Sequence, residues 1–363
     1  MTIPLGPRRL QAIHSHLTKR PPSAARRQET ADFETRQQFS GDGVLLPQAK
    51  AEFEREGFLV LRGIVAGAEI LELRHEVARI LERAPAAKGS ATDACGRPAI
   101  CEPGQFQFAA PGRATMNREH EWKLRRAAPV EGVQEHVVKI SNWMRFSEPG
   151  ARLYAHPKLL AAAASVNGAN FVPFSESLII KHPGFGAALA WHQDGGTHWD
   201  DGSSAEHGFN FMVNLYDNTA QNALWVLPRS HRCGPLDISG LMDHSDGSLP
   251  GAVPLLCKAG EVAMVNRNLG HGSFANTSDK PRHTWIFGFH KRSAVDGVHS
   301  NEQIELRRRM IPLAVDCRAL RWPREQGARF GTPLLAGGGW SQERWRPECP
   351  QVRAVLEAAS LSL

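Results

Sequence analysis

No apolar run in this 363-residue chain approaches the roughly 18 residues that crossing a bilayer requires, and its first residues lack the long apolar core of a secretory signal. A soluble, intracellular protein is expected. Cys-x-x-Cys is absent, and the six cysteines (Cys95, Cys101, Cys233, Cys257, Cys317, Cys349) are scattered. That spacing indicates neither a disulfide framework nor a zinc knuckle, so the thiols read as reduced and mostly buried. His-Glu-x-x-His is missing too, and no internal repeat is visible. Charge of one sign is also scarce. The net charge is +6, and residues 1–40 supply most of it through Arg8, Arg9, Lys19, Arg20, Arg26, Arg27 and Arg36 against Glu29, Asp32 and Glu34. The remaining body is close to balanced, which does not call for nucleic acid as a partner, although a modest basic excess suits an anionic substrate.

What is present suffices for a substantial core: 42% of the residues are hydrophobic, in a length that suits one large β domain or two ordinary ones. Residues 1–48, rich in Arg, Gln, Pro and Ser without a sustained apolar period, read as a disordered or loosely attached arm. Within it, Arg9-Leu10 and His16-Leu17 match the amino-terminal type of peroxisomal targeting sequence, but the favoured reading is a short amphipathic helix in a bacterial, cytoplasmic protein.

From Pro47 onward the pattern predicts a helix over 49–56, a strand over 57–61, and an amphipathic helix on which Ile70, Leu73, Val77 and Ile80 share a face. Residues 84–125 lack periodicity and read as a long irregular insertion, of the kind that often forms a lid or substrate wall. Pro157 opens another helix, closed near Asn167-Gly168. Strands are expected over 171–180, 209–216, 223–227, 262–266 and 284–289, each bounded by turn residues. Short strands at this rhythm point to a β-sandwich or jelly roll. Residues 293–363 read as an extension with helices near 301–310 and 351–361 and a Pro/Gly/Trp-rich loop, packed on the same domain as residues 49–292.

The chemistry is concentrated in Trp191-His192-Gln193-Asp194 and in Gly270-His271-Gly272-Ser273. Two imidazoles and a carboxylate on one face of an octahedral ion are the ligand set of non-haem Fe(II) oxygenases, which leaves three positions free. Residues i and i+2 point to the same side of an extended strand, whereas a helix would separate them by roughly 200°. His192 and Asp194 therefore share a metal only if their segment is β or β-like. Arg282 follows His271 by eleven positions and offers a permanently charged planar fork to a dicarboxylate.

The His-x-Asp pair, the distal histidine in a His-Gly-Ser setting, Asn276 five residues on and Arg282 eleven on resemble the phytanoyl-CoA dioxygenase family of Fe(II)/2-oxoglutarate oxygenases. The likeness covers about residues 50–292 and includes the Glu-x-x-Gly-Phe-Leu-Val-Leu opening and the Gly-Glu-Val-Ala-Met-Val-Asn run before His271. It implies a mostly β fold with flanking helices (α+β) around a double-stranded β-helix, jelly-roll or cupin-like, core. It implies Fe(II) held by His192, Asp194 and His271, and 2-oxoglutarate as co-substrate, with Arg282 and Ser273 on its far carboxylate. Lys139 resembles a further co-substrate contact, and Phe211 falls at another when the chain is counted back without gaps from Pro228. Dioxygen is the oxidant and ascorbate a supporting reductant. The substrate would be a small molecule, an acyl-CoA or secondary metabolite, hydroxylated at an unactivated carbon with release of succinate and CO2. Asp194 fills the position that halogenases of this kind leave to chloride. Candidates for the substrate wall are Trp143, His198 and Trp199, with His182 nearby.

Two turns depart from the family: Arg229 stands for a glycine in Pro-Gly-Ser/Thr-His, and Ala223 for one in Asn-Gly. Both substitutions remove a residue that tolerates positive φ, so a changed backbone form is expected at each, and His231 is read as structural. Two other function classes compete: a non-catalytic β-sandwich binding module, and a metal-dependent hydrolase using the same ligands.

Overall fold

Two sheets face one another, and helices cover the outer side of the larger one. The computed structural model describes residues 37–41, 43–110, 114–115, 135–195, 208–243 and 247–323. Helix α1 (Pro47–Glu56) leads into β1 (Phe58–Leu61), and α2 (Gly67–Glu82) follows. Strands β2 (Phe106–Ala109), β3 (Ala114–Thr115) and β4 (His136–Ser141) precede helices α3 (Glu148–Tyr154) and α4 (Pro157–Asn167). Next come β5 (Val172–Lys181), β6 (Ala188–His192), β7 (Gly208–Asn214), β8 (Leu224–Val226), the short α5 (Ile238–Leu241), β9 (Val253–Leu255), β10 (Val262–Asn266), β11 (His271–Ser273) and β12 (Arg282–His290). Helices α6 (Asn301–Arg308) and α7 (Met310–Arg321) end the described chain.

The larger sheet runs β1-β10-β7-β12-β5-β4-β2 and the smaller β3-β6-β11-β8-β9; every pairing is antiparallel except β3 with β6. Alternation along the strands of the larger sheet divides the molecule. On β12 the outward residues Trp285, Phe287 and Phe289 join Phe209, Phe211, Leu178 and Ile180 under the helices, with Leu73 and Val77 of α2 and Leu159 and Leu160 of α4 completing that core. The inward face is mixed. Met212, Ala263 and Val265 pack against Leu224, Val226 and Leu255 of the smaller sheet, whereas Arg282 and Thr284 on β12 and Asn210 and Asn214 on β7 place buried polar groups between the sheets. A core this selective about faces is what fixes strand register.

Some expectations from the sequence need correction. The stretch read as an irregular insertion contains β2, paired with β4, and the turn before it is tied to α2 through Asp93, which accepts from Arg83 and Arg97. After β12 the chain forms two consecutive helices, of which α7 was not foreseen; Met310, Ile311, Leu313, Ala314 and Cys317 give it a buried face. It joins the helical layer through Arg318, whose guanidinium pairs with Glu69 of α2 at 2.8 Å, and through Arg321, which meets Glu72 at 2.7 Å. The helix expected near 351–361 and the arm over 1–36, with its targeting-like residues, lie outside the described residues.

The turn at Arg229 also corrects the sequence reading. Arg229 keeps the left-handed form, at φ 68°, because its side chain grips the end of α1: Nε donates to both oxygens of Glu56, at 3.1 and 3.0 Å, and its backbone N–H donates to Glu56 O at 2.8 Å. Beside it, His231 Nε2 donates to Glu54 O at 3.1 Å, and the ring lies so close to Gly57 that a Cβ there would come 2.4 Å from its Nδ1. Ala223, by contrast, is not left-handed. Placing an L-residue in the left-handed region costs roughly 1–2 kcal/mol. Arg229→Ala keeps that cost and loses the clamp, whereas Arg229→Gly loses the clamp but sheds the cost. We expect the alanine variant to be about 1 kcal/mol less stable than the glycine variant in urea unfolding; equal stabilities would contradict a left-handed turn.

Candidate metal and oxoacid site

Strand β6 ends at His192 and β11 begins at His271, and these two residues are direct cross-strand partners. Their ring centroids lie 4.2 Å apart. Asp194 sits just beyond β6 and turns back so that its carboxylate meets both rings, Oδ1 at 3.3 Å from His192 Nε2 and Oδ2 at 3.7 Å from His271 Nε2. One donor atom from each residue lies within 4.8 Å of the others, the only such cluster among the described residues.

The two rings are held alike. His192 Nδ1 lies 2.8 Å from Ala190 O, and His271 Nδ1 lies 2.8 Å from Leu269 O. A carbonyl oxygen can only accept, so each Nδ1 carries a proton, which leaves Nε2, on the side of Asp194, as the nitrogen a metal can use. Burial, followed by the neighbouring His192, pulls His271 down to about 4, which leaves it neutral at physiological pH. Burial works against charge on His192 as well, but the hydrogen bond and charge of Asp194 prevail and raise it. For Asp194 burial is opposed by His271, His192 and Arg267, which together hold the carboxyl well below the usual range. Two imidazoles offering Nε2 beside an ionised carboxylate form a donor set suited to a divalent transition metal.

Further residues fix Asp194, and sequence reasoning missed them. Asn210 Nδ2 donates to Asp194 Oδ2 at 2.7 Å. Arg267 Nη2 donates to the Asp194 carbonyl at 2.8 Å, and the Asp194 N–H returns a bond to Arg267 O at 2.8 Å. Gly288, which faces Asn210 across β7 and β12, makes room: a Cβ at that position would come 2.0 Å from Asn210 Oδ1. Gln193, between two ligands, points away and ties the turn down through Asn268 O at 2.6 Å. The only signal for Asn210 in the sequence was a polar residue between two phenylalanines.

Deeper between the sheets lies a second group. Arg282, 2% exposed, donates from Nη1 to Asn222 O at 3.0 Å and from Nε to Thr284 Oγ1 at 3.2 Å. Both acceptors are neutral, and no carboxylate pairs with it among the described residues; burial draws its guanidinium down to about 10, still charged at neutral pH. Asn276 ties down the turn before β12, accepting from Ser278 N at 3.0 Å and donating to Lys280 O at 2.8 Å. Ser273, on β11 two residues after His271, is 3% exposed and its Oγ has no partner. Lys139 sits on β4 opposite Ile179; burial lowers its ammonium while Asp194 acts to raise it, and its charge reaches His192 as well. An unpaired buried guanidinium, an orphan hydroxyl and a nearby ammonium are complementary to a carboxylate.

Other candidates fall elsewhere. Phe211 lies on the outward face of β7, its ring 5.6 Å from Phe287 in the helix-side core, because its neighbour Asn210 takes the inward face. A count out by a single residue moves a side chain through the sheet, and the inward position next along is Met212. Trp143 is fully buried in the same outer core, 4.8 Å from the Trp285 ring, so it forms no substrate wall. His182 stacks on Phe185 in the turn before β6, at the end of that strand away from His192. His198 and Trp199 lie outside the described residues.

A family model described as phytanoyl-CoA dioxygenase matches residues 53–284. The chain is similar to phytanoyl-CoA dioxygenase domain-containing protein 1 of Danio rerio, 26% identical over 285 residues that cover 71% of this chain and 94% of that protein. It is also similar to ectoine dioxygenase of Halomonas elongata, 27% identical over 276 residues, covering 69% and 71% respectively. Among solved structures, that of EctD from S. alaskensis with bound Fe superposes with a TM-score of 0.48 at 23% identity, over 70% of this chain and 80% of that one. With well over half its length matched by a single family model, the chain belongs to the phytanoyl-CoA dioxygenase family of Fe(II)- and 2-oxoglutarate-dependent oxygenases.

Proposed function

We propose that this dioxygenase hydroxylates an unactivated carbon of a small-molecule substrate, with Fe(II) held by His192, Asp194 and His271 and 2-oxoglutarate anchored by Arg282 and Ser273. The observation that supports the reading is a three-donor cluster in a fold that also buries a guanidinium with no carboxylate partner among the described residues and an orphan hydroxyl two residues after His271. In this reading the sandwich is a double-stranded β-helix spanning 49–292, with α6 and α7 as an extension of the same domain.

Bound iron and co-substrate supply the oxidising power, so that dioxygen and 2-oxoglutarate leave as an alcohol oxygen, succinate and CO2. The chain's own residues supply position. Both imidazoles commit Nδ1–H to a backbone carbonyl, so Nε2 is the nitrogen left to ligate on each ring. Asn210 and Arg267 hold Asp194 against rotation. Arg282 and Ser273 orient the oxoacid by its far carboxylate, which sets the direction of its other end, and Lys139 adds positive charge beside the metal face. Because Asp194 is a carboxylate, no ligand position is vacated for halide, and hydroxylation is favoured over halogenation. The hydrolase alternative needs no oxoacid anchor and would leave Arg282 buried without a purpose; the non-catalytic alternative has no use for the tautomer control at both histidines. Relatives are named for substrates as different as phytanoyl-CoA and ectoine, so the substrate is proposed only as a small molecule, in a soluble protein without nucleic-acid or membrane partners.

Two outcomes are expected. With Fe(II), ascorbate and 2-oxoglutarate the protein should release succinate, and His192→Ala, Asp194→Ala or His271→Ala should abolish release; succinate formation that survives all three would refute the assignment. Asn210→Ala should weaken metal binding about 10- to 100-fold, the usual consequence of losing a partner of a metal-ligating side chain. Titration with Mn(II) followed by electron paramagnetic resonance reads this directly, and an unchanged affinity would remove Asn210 from the site.

A further inference from the structure

Lys181 closes β5 and is 1% exposed, an unusual place for an ammonium. It is the cross-strand partner of Arg282, so both side chains leave the sheet on the face turned toward β11. Its Nζ donates to Phe274 O at 2.5 Å, the carbonyl directly after Ser273. Neither cation has a carboxylate partner among the described residues. Like charges at directly opposed positions on neighbouring strands repel, and burying a charge without a counter-ion is costly. Burial, and then the charge of Arg282, pushes the Lys181 ammonium well below its usual range. An ammonium has three donors and Phe274 O takes one. Two cations with spare donors are thus opposed on neighbouring strands, one of them bound to the carbonyl next to the orphan Ser273 hydroxyl, with no carboxylate partner for either among the described residues.

We propose that Lys181 is a second cationic anchor for the far carboxylate of the oxoacid co-substrate, gripping it together with Arg282. The proposal rests on the oxygenase reading above and deepens it. One carboxylate placed between the two cations offsets their repulsion and the burial of both, and it makes the site select a dicarboxylic over a monocarboxylic oxoacid. The rival role is a peg, with Lys181 merely holding the end of β11 through Phe274 O. The two differ in sign. A peg stabilises the ligand-free protein, whereas an unpaired cation kept for a ligand does not.

The test uses the full chain loaded with Mn(II) and two probes that share the oxoacid head, 2-oxoglutarate and 2-oxobutanoate, which lacks the far carboxylate. Calorimetric titration and thermal melting are recorded for the wild type, Lys181→Gln, Lys181→Arg and Arg282→Met. Gln keeps a donor for Phe274 O but removes the charge. We expect Lys181→Gln to bind 2-oxoglutarate at least tenfold more weakly and 2-oxobutanoate within twofold of wild type, to melt no lower than wild type without ligand, and to gain less on adding 2-oxoglutarate; Lys181→Arg should recover most of the affinity. If Lys181→Gln binds 2-oxoglutarate within twofold of wild type while Arg282→Met loses it, the proposal fails and the oxygenase reading stands. A ligand-free melting temperature well below wild type, with affinity for 2-oxoglutarate unchanged, identifies the peg and likewise overturns it. If the wild type does not prefer 2-oxoglutarate to 2-oxobutanoate, both readings fall.

Discussion

Everything at the proposed metal face depends on one hydrogen bond made twice: an imidazole Nδ1–H to the carbonyl two residues earlier in the chain, from His192 to Ala190 and from His271 to Leu269. The bond fixes which nitrogen is free and where it points, and it does so with backbone atoms that no substitution removes. Extended geometry at both residues is therefore a condition of the chemistry. The cross-strand pairing of His192 with His271 sets the spacing of the two Nε2 atoms, and Asp194, beyond the end of β6, can then turn back to close the triangle.

The same alternation explains why the site is polar inside a β-sandwich. On β12 each inward residue near the start is polar and each outward one aromatic, and β7 repeats the division with Asn210 and Asn214 against Phe209 and Phe211. An aromatic outer face buried under the helices supplies hydrophobic stabilisation at the rate of about 1.5–3 kcal/mol per large side chain. That surplus is what allows the inward face to carry a guanidinium, an ammonium and amides that contribute little to folding.

The proposed ligand set was legible because a His-x-Asp pair states its own geometry, and Arg282 and Ser273 were singled out because their spacing from His271 follows a recognisable pattern; the structure groups His192, Asp194 and His271 and buries Arg282 and Ser273. Residues whose placement depends on strand parity were not legible. Phe211 needed a register accurate to one residue, and Trp143 reads equally well as a cavity wall or as core until α3 is seen to pack over it, with Gly150 so close that a Cβ there would come 2.6 Å from the Trp143 ring. Lys181 ends an apolar run and looks like the point where a strand meets solvent. Arg229 misled in the opposite direction: a lost glycine predicted a new backbone, but a long-range clamp to Glu56 preserved the old one, and no local rule contains that information. The fold class was accessible from rhythm and turn residues, whereas β2 and α7 were hidden in stretches of mixed composition.

β12 occupies the middle of the larger sheet, with both faces covered, and this makes the helical layer relevant to the site. Trp285 and Phe287 lie against Trp143 and Tyr154, and Tyr154 belongs to α3, which α7 overlies through Arg318 bonded to Arg152 O at 2.9 Å and to Glu69 of α2. The Glu69–Arg318 pair is almost fully buried, and a pair of this kind is expensive to break from one side, at about 3–5 kcal/mol, because the partner is left as an uncompensated charge. It therefore acts more as a register pin than as a source of stability: α7 has one seat on α2 and α3, and the outer aromatic core has one packing. Since successive residues of β12 alternate between that core and the inter-sheet space, a strand that cannot slide on its outer face cannot slide on its inner one. Arg282 is held in place relative to β5 and β7 by packing on the far side of the sheet from the chemistry.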